Sequence, residues 1–451
     1  MGACGRPCSR RSDTGTDKNE RSLGDVDVVF QLYIIDINAL FTSFPVAMRL
    51  IKTIRVPDSE AFVNASIATG LFTVGALTAI VAWHRGMTGL LLILPLAWRY
   101  ARCGKWAFML MFGYFLAGAD DFPQVFDSFF KNAYGWGIAI WLVHAAALAL
   151  PYAYFRRYGA YGLLAALCIS VLPPWGVIAW LSPLLLAGEL FPGWGLAGYA
   201  ACLLLFFGIA YSAPQGATRW ILLMTLMLIS IYCNGAAPSF MLNRLPLWFG
   251  QNTYLGSYPP DALVGLERQQ QLMRQVDMAL RQGAQLILLP EGIVGEWVPA
   301  SEYWWKKEID LARQRGATLL IGATQYEGSG LWANMLMLRG ADNGNVKARV
   351  PVPIGMWNPF FAHGFDTHML ATGVVSVQGK CVAVSFCYED TLVYPLALSF
   401  LRGQPAAILS SANNWFGAET DEPAMQARSI ALQARLFGVP LIRALNLSAL
   451  P

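Results

Sequence analysis

Three side chains in the second half of the sequence could act on a carbonyl group: Glu291, Lys347 and Cys387. Glu291 follows the apolar run Gln285-Leu286-Ile287-Leu288-Leu289 and Pro290. That run reads as a buried strand, which would hold the carboxylate at the carboxyl edge of a sheet. Cys387 closes the strand-like run Cys381–Phe386 and opens a turn into a helix. A thiolate there gains from the positive end of the helix dipole. Lys347 lies between them in the loop sequence Val346-Lys347-Ala348-Arg349-Val350-Pro351-Val352-Pro353. Each alone has an ordinary explanation as a helix cap, a core thiol or a solvated lysine. Together, an acid–base group, a cation and a thiol are what covalent acyl transfer uses.

These residues need a scaffold, and the sequence from 247 onward supplies alternating short apolar runs and amphipathic helices. Strands are expected at Leu247–Phe249, Gln285–Leu289, Thr318–Gly322, 333–339, Ala407–Ser410 and Leu441–Ala444, with a hairpin of Val374–Val377 and Val382–Phe386. Helices are expected over 262–282, 301–315, 391–402 and 421–437, the first two stopped by Gly283 and Gly316. Strands alternating with helices argue for a layered α/β domain over residues 239–451.

The first half differs in kind. The chain has 451 residues, 56% hydrophobic and 13% charged, with mean hydropathy +0.44; soluble domains carry about a quarter of their residues as charges. Residues 61–238 hold eight Lys+Arg against four Asp+Glu, so the net excess of +4 sits in the most apolar stretch. That is not the clustered basic face of a nucleic-acid binder, and no nucleic-acid contact is expected. Candidate spans are 61–83, 134–155, 161–187, 190–212 and 219–237, with shorter ones near 87–99 and 105–119 and a weaker one at 29–48. Seven or eight helices are therefore expected in a membrane domain over 28–238, after a polar tail, 1–27, expected to be disordered. Clusters Arg49/Lys52/Arg55, Arg99/Arg102/Lys105 and Arg156/Arg157 alternate with the acidic loop of Asp120, Asp121 and Asp127. The positive-inside rule then puts the C-terminal domain on the extracytoplasmic face. Few ionisable groups lie in the spans, so an anchor is favoured over a transporter. No CxxC pair occurs among the eight cysteines, and Cys381 and Cys387 are too far apart along one strand to pair, at about 20 Å.

Glu291, Lys347 and Cys387, spaced 56 and 40 residues, resemble the nitrilase superfamily. The surrounding words match as well: Leu289-Pro290-Glu291, Cys387-Tyr388-Glu389-Asp390, Asn414-Trp415-Phe416-Gly417 and Arg443-Ala444-Leu445-Asn446. With several spans ahead of it, the chain resembles the apolipoprotein N-acyltransferases. It departs from them after Lys347, where Val352-Pro353-Ile354-Gly355-Met356 carries an inserted residue and Met356 in place of a glutamate. The Lys-x-Arg-x-Pro-Val-Pro wording followed by Met356-Trp357 is closer to the TraB family of conjugal-transfer membrane proteins. The resemblance implies an αββα sandwich behind a bacterial inner-membrane domain, and a role in plasmid transfer.

It also implies a mechanism and partners. Cys387 attacks a carbonyl and forms a thioester; Glu291, partly desolvated, takes and returns the proton; Lys347 and the Tyr388 N–H stabilise the oxyanion; water or an amine resolves the thioester. Trp415 belongs to the supporting residues. Glu389 either orients Lys347 or a substrate amine, or caps the following helix. No cofactor is implied, and His363 and His368 lack an evident third ligand for a metal. The partners implied are membrane lipid, with a lipid acyl donor or a lipoprotein, and components of a conjugation apparatus. Two aromatic patches, Met356-Trp357-Asn358-Pro359-Phe360-Phe361 with Phe365 and Tyr303-Trp304-Trp305-Lys306-Lys307, read either as a lip at the membrane interface or as packing against the bundle. The alternative functions are a catalytically silent assembly factor and a true N-acyltransferase.

Overall fold

The computed structural model describes residues 60–211, 217–241, 245, 247–358 and 364–448. The tail 1–27, the candidate span 29–48 with Arg49, Lys52 and Arg55 after it, and residues 359–363 with His363 lie outside the described residues.

The apolar half is helical: α1 (Glu60–Ala79), α2 (Ile93–Tyr100), α3 (Gly104–Ala117), α4 (Phe122–Phe130), α5 (Tyr134–Phe155), α6 (Gly159–Ser170), α7 (Ala187–Leu190), α8 (Gly195–Ala210) and α9 (Ala217–Met241). Two stretches, Val63–His84 and Tyr134–Ser170, are long and apolar enough to cross a membrane, and a third if Pro183–Leu190 and Gly195–Ala210, bent by 115°, form one span. Of the other helices at expected spans, α2, α3 and α8 are shorter than the roughly 20 residues a crossing needs, and α9 has 25 residues but a shorter apolar part, Trp220–Ala236. The span expected over 161–187 stops at Ser170 and gives way to 3-10 turns at Trp175–Val177 and Pro183–Leu186. Pro173, Pro174 and Pro183 supply no backbone N–H to continue the ladder. Bonds from Trp175 Nε1 to the Ala147 carbonyl (3.1 Å) and between His144 Nε2 and the Ile178 carbonyl (2.8 Å) show the chain doubling back on α5.

Helix α5 separates two ends of opposite character by about 33 Å of rise. At its Phe155 end the Arg156 guanidinium lies 5.4 Å from the Trp98 ring centroid and donates to the Ala101 carbonyl, beside Arg99, Arg102 and Arg157. At its Tyr134 end the Asp127 carboxylate accepts from the N–H groups of Ala133 (2.7 Å) and Tyr134 (2.9 Å), with Asp120 and Asp121 just upstream.

The second half is built on two sheets. Strands β1 (Trp248–Gly250), β2 (Leu286–Leu288), β3 (Thr318–Gly328), β4 (Leu331–Gly340) and β5 (Gly344–Lys347) run in that order, and β6 (Gly364–Phe365) pairs with β4. The other sheet has the order β10 (Leu441–Asn446), β9 (Ile408–Asn413), β8 (Lys380–Phe386), β7 (Val374–Val377). Side chains alternate between faces. Thus Leu320, Leu336 and Leu338 meet Val382, Val384 and Leu409 between the sheets. Leu319 and Ile321 face outward onto α10 (Ala262–Arg281) and α12 (Lys306–Gln314), behind α11 (Pro299–Trp304). On the far side Ala383 and Ile408 pack on α13 (Tyr394–Arg402) and α14 (Glu422–Phe437). The layers are helix, sheet, sheet, helix, as expected.

Three local departures matter. The helix expected over 301–315 breaks at Trp305, which is buried and donates to Gln269 Oε1 (3.2 Å); it is core, while Tyr303 and Trp304 stay exposed. The strand expected at 318–322 extends into a long β3–β4 hairpin. Lys347, expected in a loop, ends strand β5 opposite Met335.

From Ala68 onward the chain is one compact unit, and α14 is the element that docks on the helical half. The Gly193 N–H donates to the Arg435 carbonyl (2.9 Å), Arg435 binds Asn234, and a Cβ on Gly188 would collide with the Leu432 carbonyl. At the start of α14, Asp421 meets His84 Nδ1 (2.7 Å), and its N–H donates to Asp121 (2.6 Å).

Candidate active site

Strand β2 delivers Glu291 at its carboxyl end, and β8 delivers Cys387 at its own. The two side chains come within hydrogen-bonding reach of each other, both buried. Cys387 takes φ = +29°, a left-handed conformation that turns the chain sharply from the strand into the 3-10 turn Cys387–Thr391. The first N–H groups of such a turn have no partner within it. Tyr388, whose N–H is one of them, sends its hydroxyl to the Val177 carbonyl in the helical half (2.9 Å).

Burial dominates the electrostatics. It pushes the Glu291 carboxyl up to about 8, against the effect of the neighbouring Cys387 thiol and with the charges of Glu389 and Asp390 adding to the rise. Burial also pushes the thiol well above its usual value, and Glu291 and Glu422 reinforce the effect. Asp390, burial again leading, rises to about 6, and Glu422 to about 7. The resting pair is therefore a neutral carboxylic acid beside a neutral thiol at pH 7.

Lys347 ends β5, which pairs with β4, and its ammonium ion-pairs with Glu327. The oxyanion role expected for it would require that contact to part. Glu327 also stands near Asp366 and His368, with ligand atoms within 4.8 Å of one another and His368 Nε2 at 3.0 Å from Asp366. His368 thus finds acidic neighbours that no local spacing revealed, and this is the one such metal-ligating group among the described residues. Lys347 already neutralises its glutamate. His363, the other ring considered, lies outside the described residues.

Glu389 neither orients Lys347 nor simply caps a helix. Its Oε2 accepts from Arg349 Nε (2.9 Å) and a terminal nitrogen (2.7 Å), and its Oε1 from the N–H groups of Arg349 and Val350 (3.1 Å to the latter). Both side chains are buried at 1% exposure or less, and Arg349 also binds the carbonyls of Val384 (2.9 Å) and Pro395 (2.6 Å). Glu389 therefore clamps the segment after Lys347 onto the turn that begins at Cys387. Breaking such a buried pair from one side costs about 3–5 kcal/mol. Arg349→Met is thus expected to lower the melting midpoint of the full chain in detergent far more than Arg349→Met combined with Glu389→Leu; equal losses would remove the pair from this account.

Trp415 follows β9 in a short 3-10 turn and stacks on Phe129 of α4, centroids 6.0 Å apart, while Phe416 meets the same ring edge-on at 5.6 Å. Trp357 packs with Val177 and Tyr394. Of the two readings of its patch, the described part shows packing against the helical half.

Several site residues had no assigned role in the sequence. Asn334 donates to the Glu291 carboxylate, Asn413 donates to the Glu291 carbonyl (2.9 Å), and Asn414 Oδ1 accepts from the Cys387 thiol (3.3 Å). Gln426 on α14 donates to the Cys387 carbonyl (2.7 Å). A signal for the last existed: Gln426, Ser429 and Gln433 recur at helical spacing on a helix that otherwise carries only Glu422, Arg428 and Arg435 among apolar positions, and all three are buried.

Comparison with known proteins adds a relationship along most of the chain. A probable conjugal transfer protein TraB from Sinorhizobium fredii (strain NBRC 101917 / NGR234) is 29% identical over 393 residues, covering 82% of this chain and 97% of that protein. Conjugal transfer protein TraB from Agrobacterium fabrum (strain C58 / ATCC 33970) is 28% identical over 386 residues, covering 79% and 86%. Its curated homologues are TraB proteins. No family model matches the chain. Among solved structures, a carbon-nitrogen hydrolase from Helicobacter pylori G27 aligns with TM-score 0.34 and 16% identity over 44% of this chain and 72% of its own. An amidase from Nesterenkonia sp. aligns with TM-score 0.33 and 21% identity over 44% and 74%. The alignment to the TraB homologues exceeds the length of the α/β domain, so it takes in helical sequence as well.

Proposed function

We propose that this chain is a membrane-bound, thiol-dependent acyltransferase or amidase that serves plasmid conjugation, as the names of its TraB homologues suggest. The observation that carries the reading is the buried contact between Glu291 and Cys387 at the ends of neighbouring sheets' strands. Cys387 Sγ bonds to the substrate carbonyl carbon while its proton passes to Glu291. Glu291 returns that proton to the leaving amine or alcohol as the thioester forms. The oxyanion takes hydrogen bonds from the Tyr388 N–H and from Lys347 once the latter leaves Glu327. Water or an amine then attacks the thioester, its proton going to Glu291 and then to the released thiol.

The membrane reading rests on charge placement. The cations Arg99, Arg102, Arg156 and Arg157 lie at one end of the helical half, and Asp120, Asp121 and the α/β domain at the other. Under the positive-inside rule the basic end is cytoplasmic, which puts the catalytic domain on the periplasmic face of the inner membrane. A reporter that works only outside the cytosol, fused after residue 448, is expected to be active; an inactive one beside an active cytosol-only reporter at the same position would reverse the orientation. The aromatic contact of Phe129 with Trp415 and Phe416 favours a lipid-borne acyl group or a lipoprotein as the substrate brought to the sulfur.

A second reading, a catalytically silent assembly factor, draws on the Lys347–Glu327 pair, which engages the ammonium. An acyl-ester probe applied to the full chain in detergent separates the two. Acylation mapped to Cys387 supports the enzyme; an unlabelled Cys387 in folded protein supports the scaffold.

A further inference from the structure

The polar network around the sulfur has a direction. Arg443 on β10 can only donate, and it gives one hydrogen to Gln426 Oε1 at 2.5 Å. This fixes the Gln426 amide, so Nε2 faces Cys387 and donates to its carbonyl at 2.7 Å, with Sγ at 3.7 Å. The same Oε1 accepts from Asn414 Nδ2 (3.0 Å), and Glu422 Oε2 accepts from that nitrogen at 2.7 Å. Both protons of the Asn414 amide are committed, so its Oδ1 is left facing the sulfur at 3.3 Å. The Asn413 carbonyl, another acceptor, lies at 3.9 Å. Asn414 is fully buried and Gln426 is 1% exposed, so water does not compete for these groups.

We propose that Asn414 aims the Cys387 S–H and holds the nucleophile in its protonated form until Glu291 takes the proton, with Gln426 and Arg443 as positioning residues that fix the amide's orientation. The proposal rests on Cys387 being the nucleophile of the function proposed above. An acceptor oxygen stabilises a thiol and repels a thiolate, so removing it eases deprotonation. The charged and titratable groups facing the sulfur are Glu291 after β2, Asp390 in the turn, Glu422 at the start of α14 and Arg443 on β10. Their sum is acidic and acts in the same sense as Asn414. The device keeps a buried thiol quiet toward oxidants and stray electrophiles when no substrate is bound.

The test is alkylation by iodoacetamide of the full chain in detergent, followed at Cys387 by peptide mapping from pH 7 to 10. Alkylation joins Sγ to the acetamide carbon, expels iodide and releases the thiol proton to buffer. Asn414→Leu, which keeps the volume without the acceptor, is expected to raise the rate at pH 8 about tenfold, one unit in the midpoint. A rate equal to or below that of the unaltered chain overturns the proposal. Where Asn414→Leu does not fold, Asn414→Asp keeps an acceptor at the same place and is read instead. Its rate at pH 8 is expected to be no higher than wild type; a faster rate overturns the proposal. A purely structural Asn414 would shift both variants alike. No turnover is measured, so a chain that alkylates as stated but never processes a substrate upholds this inference and sinks the enzyme.

Discussion

Replacing Cys387 by alanine abolishes acyl-probe uptake at the site and lowers turnover of any amide or ester substrate by about 10⁴-fold or more. The reason is covalent. Without Sγ there is no thioester, and the residual rate comes only from substrate binding beside Glu291 and the turn's N–H groups. The control is built into the chain, because Cys103, in the turn before α3, is an exposed free thiol far along the sequence from the site. A reagent that merely finds accessible thiols labels it in wild type and variant alike. One that reports chemistry labels Cys387, only 6% exposed, in wild type alone. Undiminished turnover by a folded Cys387→Ala protein would mean that the domain's contribution is not thiol chemistry.

Glu291→Gln is expected to cost about 10²–10⁴-fold in turnover, the usual contribution of a positioned acid–base group. The pH profile should change shape as well. Burial keeps Glu291 protonated up to about 8, so only about a tenth of molecules carry the base form at pH 7, and wild-type activity climbs as pH rises through 8. The glutamine variant loses that climbing limb. Stability moves the other way. In the unfolded chain the same carboxyl ionises near 4.5, so between 4.5 and about 8 the folded state holds a proton that the unfolded state has shed. Wild-type stability therefore falls across that window, and glutamine, which never ionises, removes Glu291's share of the slope and leaves those of Asp390 and Glu422. The variant should melt like wild type at pH 4 and above it at pH 8. Parallel melting curves at all pH values would show that Glu291 is not held neutral.

The layered α/β architecture was legible in the sequence because strands and helices announce themselves by period, and the words ending at Glu291 and beginning at Cys387 marked two sheet edges that do meet. The rest was hidden for identifiable reasons. Asn334 and Asn414 act across strands, and a lone amide in a strand or turn has no period to betray its neighbours. Arg349, two residues from Lys347, looked like part of a basic loop, yet it is buried to 1% because Glu389, 40 residues on, neutralises it. Hydropathy read 161–187 as one continuous apolar run, while the prolines at 173, 174 and 183 break the hydrogen-bond ladder without lowering the apolar count. Ion pairing, too, is blind to spacing: nothing between residues 327 and 347 told that Glu327 would claim the lysine.

Helix α14 belongs to both halves of the molecule at once, with Gln426 and Gln433 turned to the nucleophile's turn and Leu432, Arg435 and Leu436 seated among glycines of the helical half. Cutting the gene at the junction near residue 245 to obtain a convenient water-soluble fragment would strip that second flank bare. The excised piece would present a greasy, partly cationic ridge to solvent and clump, and the slackened helix would loosen its hold on the reactive turn. Biochemistry on this protein has to begin with the uncut polypeptide in a lipid or detergent setting.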